Sequence, residues 1–335
     1  MSPIDARHRR RQLTMVVLGA VLAITVLLSL RFGSRPLPLS ELVEVFQGDG
    51  SAVVRAVVLE QRVPRTILGI LCGAALAVAG SLMQSLTRNP LAEPGLLGIN
   101  AGASFAVVVG VVVFGLVGIP WYLLLALLGA AAAGAAVFIL GRGASGSVAR
   151  LTLAGVAVSA ALAAINEALI LMDQRAFDEF RFWVAGSLEG RGTQVILISG
   201  AVILVGLIIG LLIGPSLHAL TMGEQAGIAL GVNLPRTQTL TLVAVALLAG
   251  ASTAAMGPVA FVGLAVPYVV RQAMGNDVRW VSAGCLLLGP AWLLGADVLA
   301  RVVTAPAETP VGVVAILAGA PLFVALMTRR KVPAL

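Results

Sequence analysis

The chain has 335 residues, of which 59% are apolar and 11% charged, against roughly 25% charged in soluble domains. That balance excludes a soluble enzyme and a disordered chain, and recurrent apolar runs of about 20 residues favour a helical polytopic membrane protein over a barrel, whose strands alternate over about ten. The net charge of +7, from 22 Lys+Arg and 15 Asp+Glu, would point to nucleic acid in a soluble protein, but here it is read by the side of the bilayer on which each charge falls.

Met1–Gln12 carries Arg7, Arg9, Arg10 and Arg11 and precedes the apolar run 13–30. This is either a signal peptide or an uncleaved first span with a basic cytoplasmic start. The length of the run, with no small-x-small site before the polar stretch, favours the span. Residues 31–61 are predicted as an outer segment. Apolar stretches then recur at 66–86, 96–117, 121–141, 150–172, 195–215, 237–256, 258–271, 279–300 and 311–328, for about ten spans in one all-α domain over 1–335. The 258–271 stretch is short and opens on Gly257-Pro258, so it is expected to be tilted or shielded by neighbours. Between the spans lie a second outer segment, 173–194, which holds Trp183, and an inner one, 216–236. The inner segment reads SLHALTMGEQAGIALGVNLPR and predicts one or two short helices on the cytoplasmic face, with Pro235 as a stop.

An even span count places both termini on one side. Alternating the loops puts thirteen cations and four acids on the N-terminal side, a balance of +9, and nine arginines and eleven acids on the other, −2. That asymmetry predicts both ends in the cytoplasm. Glycines recur four apart at Gly69/Gly73, Gly98/Gly102 and Gly206/Gly210/Gly214, where small residues let helices approach closely. Lys331 is the single lysine and lies four residues from the C-terminus, so no Gly-rich loop with its lysine is present and ATP chemistry must come from another subunit. Cys72 and Cys285 stand alone in apolar runs, and His8 and His218 form no HExxH, so the sequence gives no metal site and implies no cofactor.

Residues 62–104, RVPRTILGILCGAALAVAGSLMQSLTRNPLAEPGLLGINAGAS, resemble the signature of the FecCD family, the permease subunits of type II ABC importers for iron-siderophores, haem or cobalamin. Residues 256–271, MGPVAFVGLAVPYVVR, resemble the family's Gly-x-Val-Ala-Phe-Val-Gly-Leu-x-Val-Pro-His pattern, with Tyr268 in place of the histidine, and 295–323 resemble its C-terminal block. The resemblance implies ten helices, a second permease subunit (the same chain or a relative) forming a central pathway, two cytoplasmic ATPases, and an external binding protein that delivers a metal chelate. It implies no nucleic-acid partner.

By the same resemblance, Arg62, Arg65 and Arg301 dock the binding protein, although snorkelling and an i,i+4 pair of Arg301 with Asp297 compete. Gly223, Glu224, Ala226, Gly227, Leu230 and Gly231 match the coupling helices that seat on the ATPase. Ser147, Val148 and Ala149, in the loop GRGASGSVAR at 141–150, correspond to a cytoplasmic gate. Asn166 and Glu167 lie inside the fifth span, where an ionisable residue faces either a polar partner or an aqueous path, and are the pathway candidates. Arg88–Pro94 reads as a rigid turn in which Asn89 caps backbone groups. The reading is an importer permease for an Fe(III)-siderophore, with cobalamin or haem as alternative cargo. An ion-coupled secondary transporter would instead show paired mid-membrane charges in repeated halves, and an intramembrane enzyme would need a reactive site that two distant histidines do not provide.

Overall fold

The computed structural model describes residues 3–33, 36–141, 148–305 and 307–329. Among them the chain is all-α. Helix α1 (Pro3–Arg31) presents Leu13, Val16, Val17 and Ile24 outward, a lipid-facing pattern. It is followed by the amphipathic α2 (Leu39–Gln47), closed by Gly48 in the left-handed region at φ 97°. Leu42 and Val45 of α2 pack with Leu37 and Val58 into a small core against Leu30. Ser51 caps α3 (Ala52–Ala56) by accepting from the Val54 N–H. A wide π turn over Val57–Arg62 then leads directly into α4 (Val63–Thr87), so that 52–87 runs as one helix. The extra residue in that turn makes room for Pro64, whose ring would otherwise strike the carbonyl one turn back.

The α4 helix is the axis of the bundle. Eighty-three per cent of its apolar window is buried, chiefly against α13 (Val278–Val303), α11 (Leu234–Met256), α9 (Thr193–Thr221) and α12 (Val262–Met274). Its crossing with α13 is a backbone contact, because a Cβ on Gly73 would lie 2.6 Å from the Gly289 carbonyl oxygen. Four more of the spaced glycines serve similar contacts: Gly69 faces Leu294, Gly206 faces Leu248, Gly210 faces Leu82, and Gly102 faces Gly129 where α5 (Ile99–Phe114) meets α6 (Ile119–Gly141). Without a hydrophobic drive between helices in lipid, such close approach supplies the dispersion contacts that hold them.

Among the described residues, seven helices are long and apolar enough to cross a membrane alone: α1, the 52–87 helix, α6, α7 (Val148–Met172), α9, α11 and α13. The shorter α5, α12 and α14 (Val311–Arg329) account for the remaining predicted stretches. The eighth stretch begins later than expected. Gly257 ends α11 at φ 84°, residues 258–261 are non-helical, and Phe261 sits at φ 68° before α12 starts. The break is held by its neighbours. The Ser187 N–H donates to the Met256 carbonyl at 2.7 Å, the Gly312 N–H to Gly186 at 3.2 Å, and the Phe261 N–H to Glu93 Oε1 at 3.1 Å. Tyr268, which replaces the expected histidine, is buried edge-on to Phe323 and ties α12 to α14.

Candidate functional site

The two ends of the bundle differ. At one end lie the α1–α4 connection and α8 (Gln174–Val184); at the other lies α10 (Glu224–Ala229).

At the α8 end, Arg62, Arg65 and Arg301 are turned inward, with exposures of 6%, 9% and 2%. Arg65 grips Asp297 with Nη2 at 2.8 Å and Nε at 3.1 Å, and its Nη1 reaches Glu308 Oε2 at 2.6 Å. Arg301 meets the other oxygen of Asp297 at 2.9 Å. Its Nη1 donates to the carbonyls of Ser29 and Phe32, while Arg62 Nη1 donates to those of Leu30 at 2.8 Å and Arg31 at 2.7 Å. The last carbonyls of α1 have no partners within the helix and form the negative end of its dipole, so two guanidinia capping them satisfy both demands. These arginines form a clamp joining α1, α4 and α13, and the i,i+4 pair named for Arg301 is present. Beside them Arg191 lines a pocket with Glu60, Glu189 and Glu308, and burial holds its guanidinium below the usual arginine range.

The pathway candidates Asn166 and Glu167 do come together. They line an open cavity of about 520 Å³ between α7, α5 and α8, walled also by Asn100, Ser104, Phe177, Phe180 and Pro258. Asn166 is 7% exposed and its Oδ1 has no hydrogen-bond partner. Glu167 is exposed. Asn100 is oriented by the Thr253 hydroxyl, which donates to its Oδ1 at 2.8 Å. The amphipathic α8 is fixed by Asp173, which accepts from the Ala176 N–H, by the Tyr122 hydroxyl, which donates to Glu179 at 2.6 Å, and by Trp183, buried beside Phe180. Sequence reasoning missed Asn100 and Ser104, though their spacing of four puts both on one helix face, a readable polar signal. Phe177, Phe180 and Pro258 carried no such signal, because their convergence depends on the loop contacts described above. The outward face of α7 is otherwise apolar, with Leu153, Val156, Leu171 and Met172 exposed.

At the α10 end the predicted segment 216–236 resolves into parts. Residues 216–221 continue α9 past Pro215 instead of forming a separate helix, α10 is a short helix, and α11 begins at Leu234, capped by Asn233, which accepts from the Arg236 N–H. Gly223 at φ 118° and Gly231 at φ 85° bracket α10 in conformations that other residues adopt only with strain. Gly227 packs on Leu220, which a Cβ would approach to 2.7 Å. Met222, Ile228 and Leu230 stand 65%, 55% and 67% exposed, and Ala226 is also exposed, an apolar surface of the kind a partner covers. Glu224 lies 3.9 Å from Arg88, the left-handed residue ending α4, a surface pair that contributes little energy. As expected, Asn89 caps its turn, accepting from the Leu91 N–H. On the same end Arg11 donates to the Met274 carbonyl and lies 3.8 Å from Asp277. Of the gate candidates, Ser147 lies outside the described residues, and Val148 and Ala149 open the backbone of α7.

The chain is thus a bundle of long apolar helices, broken at one helix pair and carrying on one face an open, largely apolar cavity that holds Asn100, Asn166 and Glu167. Residues 21–329 match the FecCD transport family, and the chain belongs to it. It is therefore a multi-pass membrane permease of the ABC-importer class. The ferric enterobactin transport system permease protein of Escherichia coli (strain K12) is 41% identical over 92% of this chain and 93% of its own length. The hemin transport system permease protein of Yersinia pestis is 39% identical over 82% and 83%. A solved structure titled as an inward-facing conformation of a metal-chelate type ABC transporter aligns at TM-score 0.85 and 25% identity, covering 94% of this chain and 99% of that one.

Proposed function

We propose that this chain is one of two permease subunits of an ATP-driven importer in the cytoplasmic membrane, moving an Fe(III)-siderophore delivered by an external binding protein. Relatives that transport ferric enterobactin and hemin support a metal-chelate cargo, with haem or cobalamin as the alternatives. The observation that carries the reading is the pairing of two features at separate places on one rigid bundle. One is an open cavity between α5, α7 and α8, with Asn100, Asn166 and Glu167 set among apolar walls, which a second permease would close into a pathway. The other is an exposed apolar helix, α10, available to an ATPase.

In this reading the α10 end is cytoplasmic, with both termini there, and α10 is the coupling element. Gly223, Glu224, Ala226, Gly227, Leu230 and Gly231 shape its seat on the ATPase, and Ser147, Val148 and Ala149 narrow the pathway opposite the partner's equivalent loop. An apolar constriction of that kind restricts leakage by dewetting. The binding protein docks at the α8 end on the rim around Glu60, Glu189 and Arg191, with the buried Arg62–Arg65–Arg301 clamp setting the shape of that rim.

The test is uptake of a labelled ferric siderophore by proteoliposomes containing the two permeases and two ATPases, with binding protein outside. Uptake should require ATP and be lost when the ATPase is omitted. Uptake driven by an ion gradient without ATP would overturn the reading in favour of a secondary transporter.

A further inference from the structure

Helix α11 packs against α9 on one side and α6 on another, and a cavity opens along each contact. The first, about 630 Å³, lies between α9 and the start of α11, where Ile209, Leu212, Ser216, Arg236 and Leu240 are among its walls. The second, about 320 Å³, lies between α6 and α11, and Thr239 is the one polar side chain in a lining that includes Ala135, Phe138, Val243 and Leu247. Gly134 faces Ala246 and Gly250 faces Ala130, so α6 and α11 run antiparallel and the Phe138 end of the second cavity lies toward Arg236. Arg236, Leu240, Val243 and Leu247 follow one another at helical spacing and make a ridge that the two cavities flank. This side of the bundle faces lipid, because α9 and α6 each bury only 28% of their apolar windows and Leu212 and Val243 are exposed. Arg236 is exposed too, at the α10 end of the ridge. Among the described residues no carboxylate pairs with its guanidinium, and no acidic residue lines either cavity.

We propose that Arg236 and the two flanks of α11 bind one anionic phospholipid of the adjoining leaflet, its phosphate on the guanidinium and one acyl chain in each cavity. A guanidinium offers a fork of donors that matches phosphate oxygens, and a basic group between helices at the membrane interface attracts anionic headgroups. A soluble anion would satisfy Arg236 but leave both cavities unfilled. An ATPase seated on α10 would meet Met222 and Ile228, which line neither cavity. The site shares no residue with the cavity at Asn166 and Glu167 and does not depend on the cargo.

The experiment takes the full-length protein, delipidated in a neutral detergent, and titrates it with dioleoyl phosphatidylglycerol or dioleoyl phosphatidylcholine while native mass spectrometry counts the bound lipid. The native protein should hold one phosphatidylglycerol more tightly than phosphatidylcholine. Arg236→Gln should weaken phosphatidylglycerol about fivefold with phosphatidylcholine unchanged, Arg236→Lys should keep most of the preference, and Arg236→Glu should abolish it. Ala135→Trp, at an exposed position of α6 in the second cavity, should weaken both lipids alike. Thermal midpoints check that each variant is folded, and Leu212→Trp, exposed on α9, repeats the filling test in the first cavity if Ala135→Trp is not. Equal retention of the two lipids by the native protein, or a preference unmoved by Arg236→Gln and Arg236→Glu, overturns the headgroup contact. Retention unchanged by a folded cavity-filling variant overturns the placing of the chains. Displacement of phosphatidylglycerol by inorganic phosphate alone would reveal a simple anion site and overturn the lipid proposal as a whole.

Discussion

Asp297 has no solvent exposure and faces two guanidinia, Arg65 at 2.8 Å and Arg301 at 2.9 Å. Removing it leaves Arg301 buried without a carboxylate and Arg65 with Glu308 alone, so Asp297→Ala should destabilise the protein by about 3–5 kcal/mol. The check is the thermal unfolding midpoint in detergent, with Glu308→Ala, whose side chain is 20% exposed, as the milder comparison. Equal midpoints for the two variants would show that the clamp does not hold α1 to α13. Asp277 offers a second test at this scale. Partial burial would raise its pKa, but hydrogen bonds from the Arg279 side chain and backbone outweigh that and leave it below its ordinary 3.8. A depressed carboxylate contributes stability that is complete above the ordinary value and is lost as pH falls through the folded one. Asp277→Asn should therefore unfold earlier than the native protein near neutrality, and the gap should close as the pH is taken below the ordinary value of 3.8. A gap that persists in acid would mean that the cap acts by shape alone.

At the scale of the element, α10 depends on three glycines with different duties. Gly227 has no room beyond Leu220, whereas Gly223 and Gly231 have open space but need positive φ. Gly227→Leu should tilt α10 away from α9 and abolish transport-coupled ATP hydrolysis, while Gly231→Ala should weaken coupling by backbone strain of about 1–2 kcal/mol. Both are read from binding-protein-stimulated ATPase activity of the assembled complex, and native coupling in Gly227→Leu would refute the coupling assignment. The α11–α12 break is another element whose form is imposed from outside. Its Phe261 N–H is held by Glu93 from the α4–α5 connection, and the Met256 carbonyl at its start accepts from the Ser187 N–H, so Pro258 is delivered to the cavity wall by contacts remote in sequence.

For the whole molecule, the proposed orientation can be read with cysteines, because the native Cys72 and Cys285 are buried and should stay silent. A cysteine at Glu167 should react with a membrane-impermeant maleimide applied to intact cells, and one at Ile228 only after permeabilisation. One at Val16, exposed on α1 but facing lipid, should react in neither case. Labelling at 228 in intact cells would reverse the topology.

Much of this architecture was legible beforehand. Each predicted apolar stretch contains a helix, although the one at 258–271 gives up its first four residues to the break, because segments that cross lipid must satisfy their own backbone and be apolar over a fixed length, and both demands are local. Most of the spaced glycines indicated close helix contacts, whereas Gly98 instead turns the chain into α5 and Gly214 packs at ordinary distance, and Glu167 lines the cavity as a charge inside an apolar span. What only the tertiary structure decided concerns direction. Nothing in R-x-P-R indicates whether its guanidinia point to a partner or inward, since that depends on where the end of α1 and Asp297 are placed, residues far apart in the chain. Likewise the cavity needs α5, α7, α8 and the 258 break brought together by packing. Composition and period fix which segments cross the membrane, because those are properties of a single segment; which side chains face one another is a property of the assembled bundle.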